Sequence, residues 1–324
     1  MIILPRALSL SLSCLVVTVA AGGLLAAGSE GALQGQASGG RPEAVSLLGK
    51  PLFSPEPTGD QKMKLEADLA EAQAEYDRNP RDAEAIIWLG RRLAYLGRYR
   101  DAMDVYSKGI ALHPDNAKLH RHRGHRHITV REFDRAIADL DRAASLVKGQ
   151  PDEIEPDGAP NKFNKPRSTL QSNIWYHLGL AQYLKGDFQA ALASYLECMK
   201  VSKVNDDMLV ATSDWLYMTY RRLGRTDDAR RVLDLIKEDM EILENTAYHR
   251  RLLMYKGLVQ PDSLLAAGAG DDVQIATQGY GVGNWYLYNG DKTKAREILD
   301  KVVSGRGWAA FGYIAAEAEL KRNF

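Results

Sequence analysis

Between Leu119 and His127 the chain reads LHRHRGHRH, four histidines and three arginines around one glycine. Imidazoles at this density could ligate a metal, while guanidinium groups grip carboxylates or phosphates with paired donors. On a helix His120 and His127 would share a face and His122 would lie near His125. The interleaved Arg121, Arg123 and Arg126 repel a divalent cation, and the segment contains no carboxylate to act as a further ligand. No metal or other cofactor is expected. Signatures of catalysis are also missing: the chain has no HExxH, no GxSxG and no phosphate-cradling GxxxxGK[ST]. The glycines of GYGVGNW, residues 279–285, are not preceded by a strand and read as packing positions.

Any anion-binding role for these arginines must be local. The 324 residues hold 42 Lys plus Arg against 42 Asp plus Glu, so no global field draws the chain to nucleic acid or anionic lipid. At the N-terminus Arg6 is followed by the apolar run from Ala7 to Ala27. Residues 1–30 are therefore expected to be a Sec-type signal peptide, with residues 7–27 as an uncleaved membrane anchor in the alternative reading. The chain is expected to be exported, to a periplasm or held at the membrane surface. Residues 31–60 are rich in Gly, Ser, Pro and Glu and read as a disordered linker. Beyond Cys14, only Cys198 remains, so the exported chain would need a large packed core in place of a disulfide.

The elements that carry the His/Arg cluster follow from a repeat. Moving 34 residues along the chain takes Gly90 onto Gly124, Ala102 onto Ala136 and Gly109 onto Ala143. The first copy contains Ile86, Leu89-Gly90, Leu93, Ala102, Tyr106 and Pro114. Later copies contain Trp175, Leu178-Gly179, Ala191 and Tyr195, then Leu216, Tyr220, Gly224 and Ala229, and lastly Val282-Gly283, Tyr286, Gly290 and Ala295. In this pattern residues 61–324 resemble the tetratricopeptide repeat family. The resemblance implies an all-α, right-handed superhelix of about five to six stacked helix-turn-helix units. A degenerate unit should lie between Ala229 and Ala295, and an apolar C-terminal helix should cap the array. Ala136 and Ala191 are one period plus 21 residues apart, which marks an insertion at about residues 149–169.

In the family's register, His120, Arg123, Gly124 and His127 face inward, where the first copy has Ile86, Leu89, Gly90 and Leu93. Buried cations need partners, and the insertion holds Asp152, Glu153, Glu155 and Asp157; it is expected to fold back onto the Arg/His helix. The same register gives the concave groove Arg91, Tyr95, Lys118, Arg121, His125, Tyr176, Tyr183, Arg221, Tyr280 and Asn284. Some family members clamp a carboxylate at the positions that Arg91, Arg121 and His125 occupy here, although Ile87, Tyr176 and Leu180 depart from that pattern. The resemblance therefore implies a non-enzymatic scaffold for a protein or peptide, one bearing an acidic group or a C-terminal carboxylate. Two other readings stay open: a metal-binding or enzymatic protein using residues 119–127, and a purely structural spacer in an envelope complex.

Overall fold

Several helices of this chain start where a polar side chain receives the free amides of a first turn. Asp82 accepts from the amide of Ala85 at 2.8 Å, Asn116 from Leu119 at 3.2 Å and Asn205 from Met208 at 3.0 Å. Thr169 and Ser172 form a reciprocal capping box. The computed structural model describes residues 41–324 apart from residues 159–160 and 268–271. The expected signal or anchor segment, and the first part of the expected linker, lie outside the described residues.

The leading helix α1 (Gly59–Arg78) is followed by six helix pairs. They are α2 (Ala83–Tyr95) with α3 (Tyr99–Leu112), α4 (Ala117–Thr129) with α5 (Phe133–Val147), and α6 (Leu170–Lys185) with α7 (Phe188–Ser202). Next come α8 (Asp206–Arg222) with α9 (Thr226–Leu233), the degenerate pair α10 (Thr246–Tyr255) and α11 (Pro261–Ala267), and α12 (Asp272–Tyr288) with α13 (Lys292–Ser304). The chain ends in α14 (Phe311–Asn323). The fold is thus an all-α stack of helix-turn-helix pairs. Within a pair the helices approach closely: a Cβ on Gly90 would lie 2.3 Å from the Tyr106 ring. That contact requires glycine at the position and explains its recurrence.

The last helix comes after the final pair, as a cap should, but its surroundings differ from those of an end. Gly312 to Leu320 are all buried, including Glu317 and Glu319, so α14 is a helix packed on every side. Arg131, in the turn between α4 and α5, donates to both oxygens of Glu317 at 3.0 Å and to the carbonyl of Trp308 at 2.8 Å. Arg222 of α8 donates to Glu319 at 2.7 Å, and Arg322 reaches the carbonyl of Leu184 at the end of α6. The C-terminal helix is therefore bound against elements of the second, third and fourth repeats.

The expectation of a disordered linker over residues 31–60 fails for the part that is described. The short antiparallel strands β1 (Ala44–Val45) and β2 (Pro51–Leu52) pair, with Ala44 and Leu52 buried. Single polar bonds dock them: Leu47 donates to Glu317 at 3.2 Å, Arg100 to Glu43 at 2.9 Å, and the Trp308 indole to the carbonyl of Phe53 at 2.7 Å.

Turns within the other repeats are closed by glycines at positive φ: Gly97 at 75°, Gly186 at 96°, Gly224 at 71°, Gly257 at 81° and Gly290 at 95°. In the second repeat that place belongs to Arg131, at φ 67°. An L side chain there costs about 1–2 kcal/mol, so the guanidinium that meets Glu317 outweighs a strained backbone. Arg131→Gly relieves that strain but leaves a buried carboxylate unpaired, a loss of about 3–5 kcal/mol. Thermal denaturation should show a net fall in Tm, and Arg131→Gly with Glu317→Gln should recover most of it. Equal Tm for Arg131→Gly and the parent chain would refute this assignment.

Candidate functional site

Helix α4 carries the His/Arg cluster and is covered on more than one face, so its side chains divide among several partners. The inward set is satisfied from its own repeat. Arg123 makes a bidentate pair with Asp139 of α5, 2.7 Å to each oxygen, and His120 Nδ1 lies 3.2 Å from the same carboxylate. His127 Nδ1 is 2.9 Å from Glu132. Asp139 lies 34 residues beyond Val105, so one acid substitution on α5 offsets three basic ones at Ile86, Leu89 and Leu93 of the first repeat.

The other face meets the insertion. Arg121 Nη2 pairs with Glu155 at 3.1 Å, as expected of a loop that folds back, while Arg91 donates to the carbonyl of Pro156 at 2.7 Å. Among the described residues Asp157 has no ion-pair partner; burial raises its carboxyl pKa, with Arg91 acting in the opposite direction. Arg121 Nη1 also donates to His122 Nδ1 at 2.9 Å. That nitrogen is therefore bare, and Nε2 carries the proton, 3.5 Å from Glu155.

These groups surround a cavity of about 130 Å³ lined by Arg91, Tyr95, Tyr106, Arg121, His122, His125, Arg126 and Glu155. Three guanidinium groups thus face one carboxylate. Arg126 lies over the Tyr99 ring at 5.5 Å, and among the described residues no carboxylate is within ion-pair distance of it. Arg91 lies over Trp88 at 4.3 Å and likewise has only a carbonyl partner. Arg121 Nε is buried without a hydrogen-bond partner. The cavity has the donors and the charge to take a second carboxylate or comparable anion.

The histidines do not add charge to this cavity. His122 and His125 are held well below the ordinary imidazole pKa, first by burial and then by the neighbouring arginines, and His177 is lowered by burial and by Arg121. The His125 ring packs against His177 at 4.3 Å and Phe311 at 5.3 Å. These contacts join the first cavity to a second of about 250 Å³, whose lining includes Asn173, Tyr176, His177, Cys198 and Tyr248. Burial pushes the Cys198 thiol up to about 11, so it is protonated and unreactive.

Of the ten residues assigned to the groove by register, Arg91, Tyr95, Arg121 and His125 come together at the first cavity and Tyr176 lines the second. Lys118 stands beside them, 3.1 Å from Glu84 and 3.4 Å from Glu153. Three are corrected to core positions: Tyr183, Tyr280 and Asn284 are 1%, 0% and 0% exposed. They form a buried cluster in which Tyr280 and Asn284 donate to the Tyr183 hydroxyl at 2.9 and 3.0 Å. Arg221 is corrected as well; it lies over Tyr288 at 4.4 Å and donates to Asn289, away from both cavities. Arg126 and His122 belong to the site but were missed, because a register of two faces does not describe a helix covered on three.

Residues 172–205, which span most of α6 and all of α7, match the family model of the tetratricopeptide repeat. That segment is similar to one tetratricopeptide repeat. No curated protein matches the sequence. Among solved structures, a tetratricopeptide repeat protein from Parabacteroides merdae is 16% identical with a TM-score of 0.46, covering 81% of this chain and 94% of that one. YrrB, described as a tetratricopeptide repeat protein with an unusual peptide-binding site, is 17% identical with a TM-score of 0.41, over 72% and 91% of the two chains. MamA is 16% identical with a TM-score of 0.42, over 61% and 88%.

Three imidazoles kept neutral in the folded state give a pH dependence of known sign. The unfolded chain takes up protons through the ordinary histidine range near 6.5, whereas the folded chain does not, so stability falls as pH drops below about 6.5. Each histidine contributes at most about 1.4 kcal/mol per pH unit. Denaturant unfolding between pH 7 and 5.5 should show this slope, and His125→Phe should reduce it by about one proton's worth. A slope unchanged by that substitution would show that His125 takes up a proton in the folded chain.

Proposed function

We propose that this chain is a non-enzymatic scaffold that captures a protein partner by an acidic side chain or C-terminal carboxylate at the cavity between α2, α4 and the insertion. The observation that carries the reading is the excess of fixed positive charge: Arg91, Arg121 and Arg126 line the cavity with Glu155 as the one lining carboxylate, and its histidines are neutral. Guanidinium groups held over Trp88 and Tyr99 have lost little further freedom to lose on binding, which favours a planar, bidentate ligand. Tetratricopeptide repeats supply rigid helix faces on which such a cluster can be preorganised. The four histidines of α4 are each occupied by a protein contact, to Asp139, Glu132, Arg121 or His177, which favours this reading over a metal-dependent one.

The work is proposed to be done outside the cytoplasm, on the strength of the apolar run at residues 7–27. No helix among the described residues is long and apolar enough to cross a membrane.

Selection from a random peptide library on the purified chain tests the proposal. The expected result is enrichment of sequences with Asp, Glu or a free C-terminal carboxylate. Arg126→Ala and Arg91→Ala should each weaken the best of them by about 10- to 100-fold, the scale of one charge-assisted hydrogen bond. Enriched peptides without acids, or binding indifferent to both substitutions, would overturn it.

A further inference from the structure

The segment from Asp152 to Gly158 lies across the first helices of three successive repeats. Lys118 of α4 approaches Glu153 at 3.4 Å, and Glu155 is held by Arg121 of α4 and by the amide of Asn173 of α6, which donates at 3.0 Å. The carbonyls of Pro156 and Gly158 accept from Arg91 and Arg92 of α2 at 2.7 and 2.8 Å. Gly158 rests against the Tyr95 ring so closely that a Cβ would lie 2.1 Å from its hydroxyl oxygen. The backbone is extended: Ile154 bridges Thr169, and the amide of Glu155 donates to the carbonyl of Ser168 at 3.0 Å.

Almost nothing apolar holds this segment down. Ile154, its one large hydrophobic side chain, is 64% exposed and points away from the array. Against α2 and α4 it is fixed chiefly by one buried carboxylate and by two backbone carbonyls, at the residues one and three places after it, while its own backbone pairs with Ser168 and Leu170 at the start of α6. Those groups are found in any extended peptide that contains an acid, so a segment of another protein can reproduce these three contacts, with a glycine favoured at the place that Gly158 takes against Tyr95. The insertion also interrupts the 34-residue period without contributing a helix of the stack. A segment held on the helices mainly by exchangeable polar contacts opens more readily than the helices around it.

We propose that residues 153–158 are an internal ligand, held in the position that an extended acidic segment of a partner protein takes by displacing them. This rests on the reading of the cavity as a carboxylate site. Glu155 then marks where the partner's acid goes: its carboxylate moves off Arg121 as the incoming one arrives, and Arg91 and Arg92 exchange one set of backbone carbonyls for another. In the resting chain the same contacts hold back weak or non-acidic sequences, because a competing segment must first free the site.

The test uses the full chain and a labelled, end-blocked peptide with this chain's own residues 151–158, PDEIEPDG, read by fluorescence anisotropy. Glu155→Gln in the chain removes the internal carboxylate and should raise affinity for the probe by about tenfold or more, as occupancy by a tethered competitor is lost. A second variant, with residues 152–158 replaced by a Gly/Ser stretch of equal length, should give the same gain, and matching thermal unfolding of both variants establishes that they fold. Adding Arg121→Ala to either should abolish the gain. Equal binding by parent and variants, lost on Arg126→Ala, would overturn the internal ligand while leaving the carboxylate site standing. Failure of the probe to bind any of the chains would also overturn it, and the library selection then judges the cavity by itself.

Discussion

Glu317 has no exposed surface, and a carboxylate in that position is tolerable only if a cation and further donors meet it. Arg131 supplies two hydrogen bonds and the amide of Leu47 a third, so one buried acid ties the N-terminal hairpin, the turn of the second repeat and the last helix together. Two residues further along α14, Glu319 is equally buried and receives Arg222, Arg322 and the Asn323 amide. Since residues two apart point to different sides of a helix, α14 is gripped from two directions. Pairs of this kind add little net stability compared with an apolar core, but each specifies one arrangement, because a shifted helix would leave both charges orphaned.

The same device recurs where repeats meet. Arg251 and Asp214 join α10 to α8 through a fully buried pair. Asp207 receives Arg167 from the end of the insertion and the amides of Leu243, Glu244 and Asn245 ahead of α10. The structure thus fills much of its inner surface with its own charged contacts. Arg91 and Arg126, which have no carboxylate within ion-pair distance among the described residues, stand out against this background, and it is their exception that gives the cavity at α2 and α4 its functional reading.

Much of this architecture was legible in the sequence. The 34-residue register placed the helices, the close-approach glycines and the degenerate pair, because those depend on local periodicity and on side-chain size. It also contained the change from Val105 to Asp139, which names the partner of Arg123. The counting argument, that buried cations need acids and the insertion has them, brought the insertion to this helix, but Glu155 meets Arg121 of the groove set, while the inward Arg123, His120 and His127 are met by Asp139 and Glu132 of their own repeat. Tyr183, Tyr280 and Asn284 were misplaced for a different reason. Register tells which face of a helix a residue occupies but not what covers that face, and here one first helix, α12, packs against another, α6, through their hydroxyl and amide groups. The hairpin at residues 44–52 was invisible because strands of two residues leave no period, and their docking depends on bonds to residues some 50 to 270 positions away.

The last helix is held against the second, third and fourth repeats by buried ion pairs and backbone carbonyls. A chain-terminal helix ordinarily frays and exchanges its amide protons quickly. Amide hydrogen exchange followed by mass spectrometry distinguishes the cases directly. If α14 is held as described, amides from Ile314 to Leu320 exchange as slowly as those of α6. Exchange of that segment on the timescale of an exposed terminus, while α6 stays protected, would show that α14 is not held against these repeats.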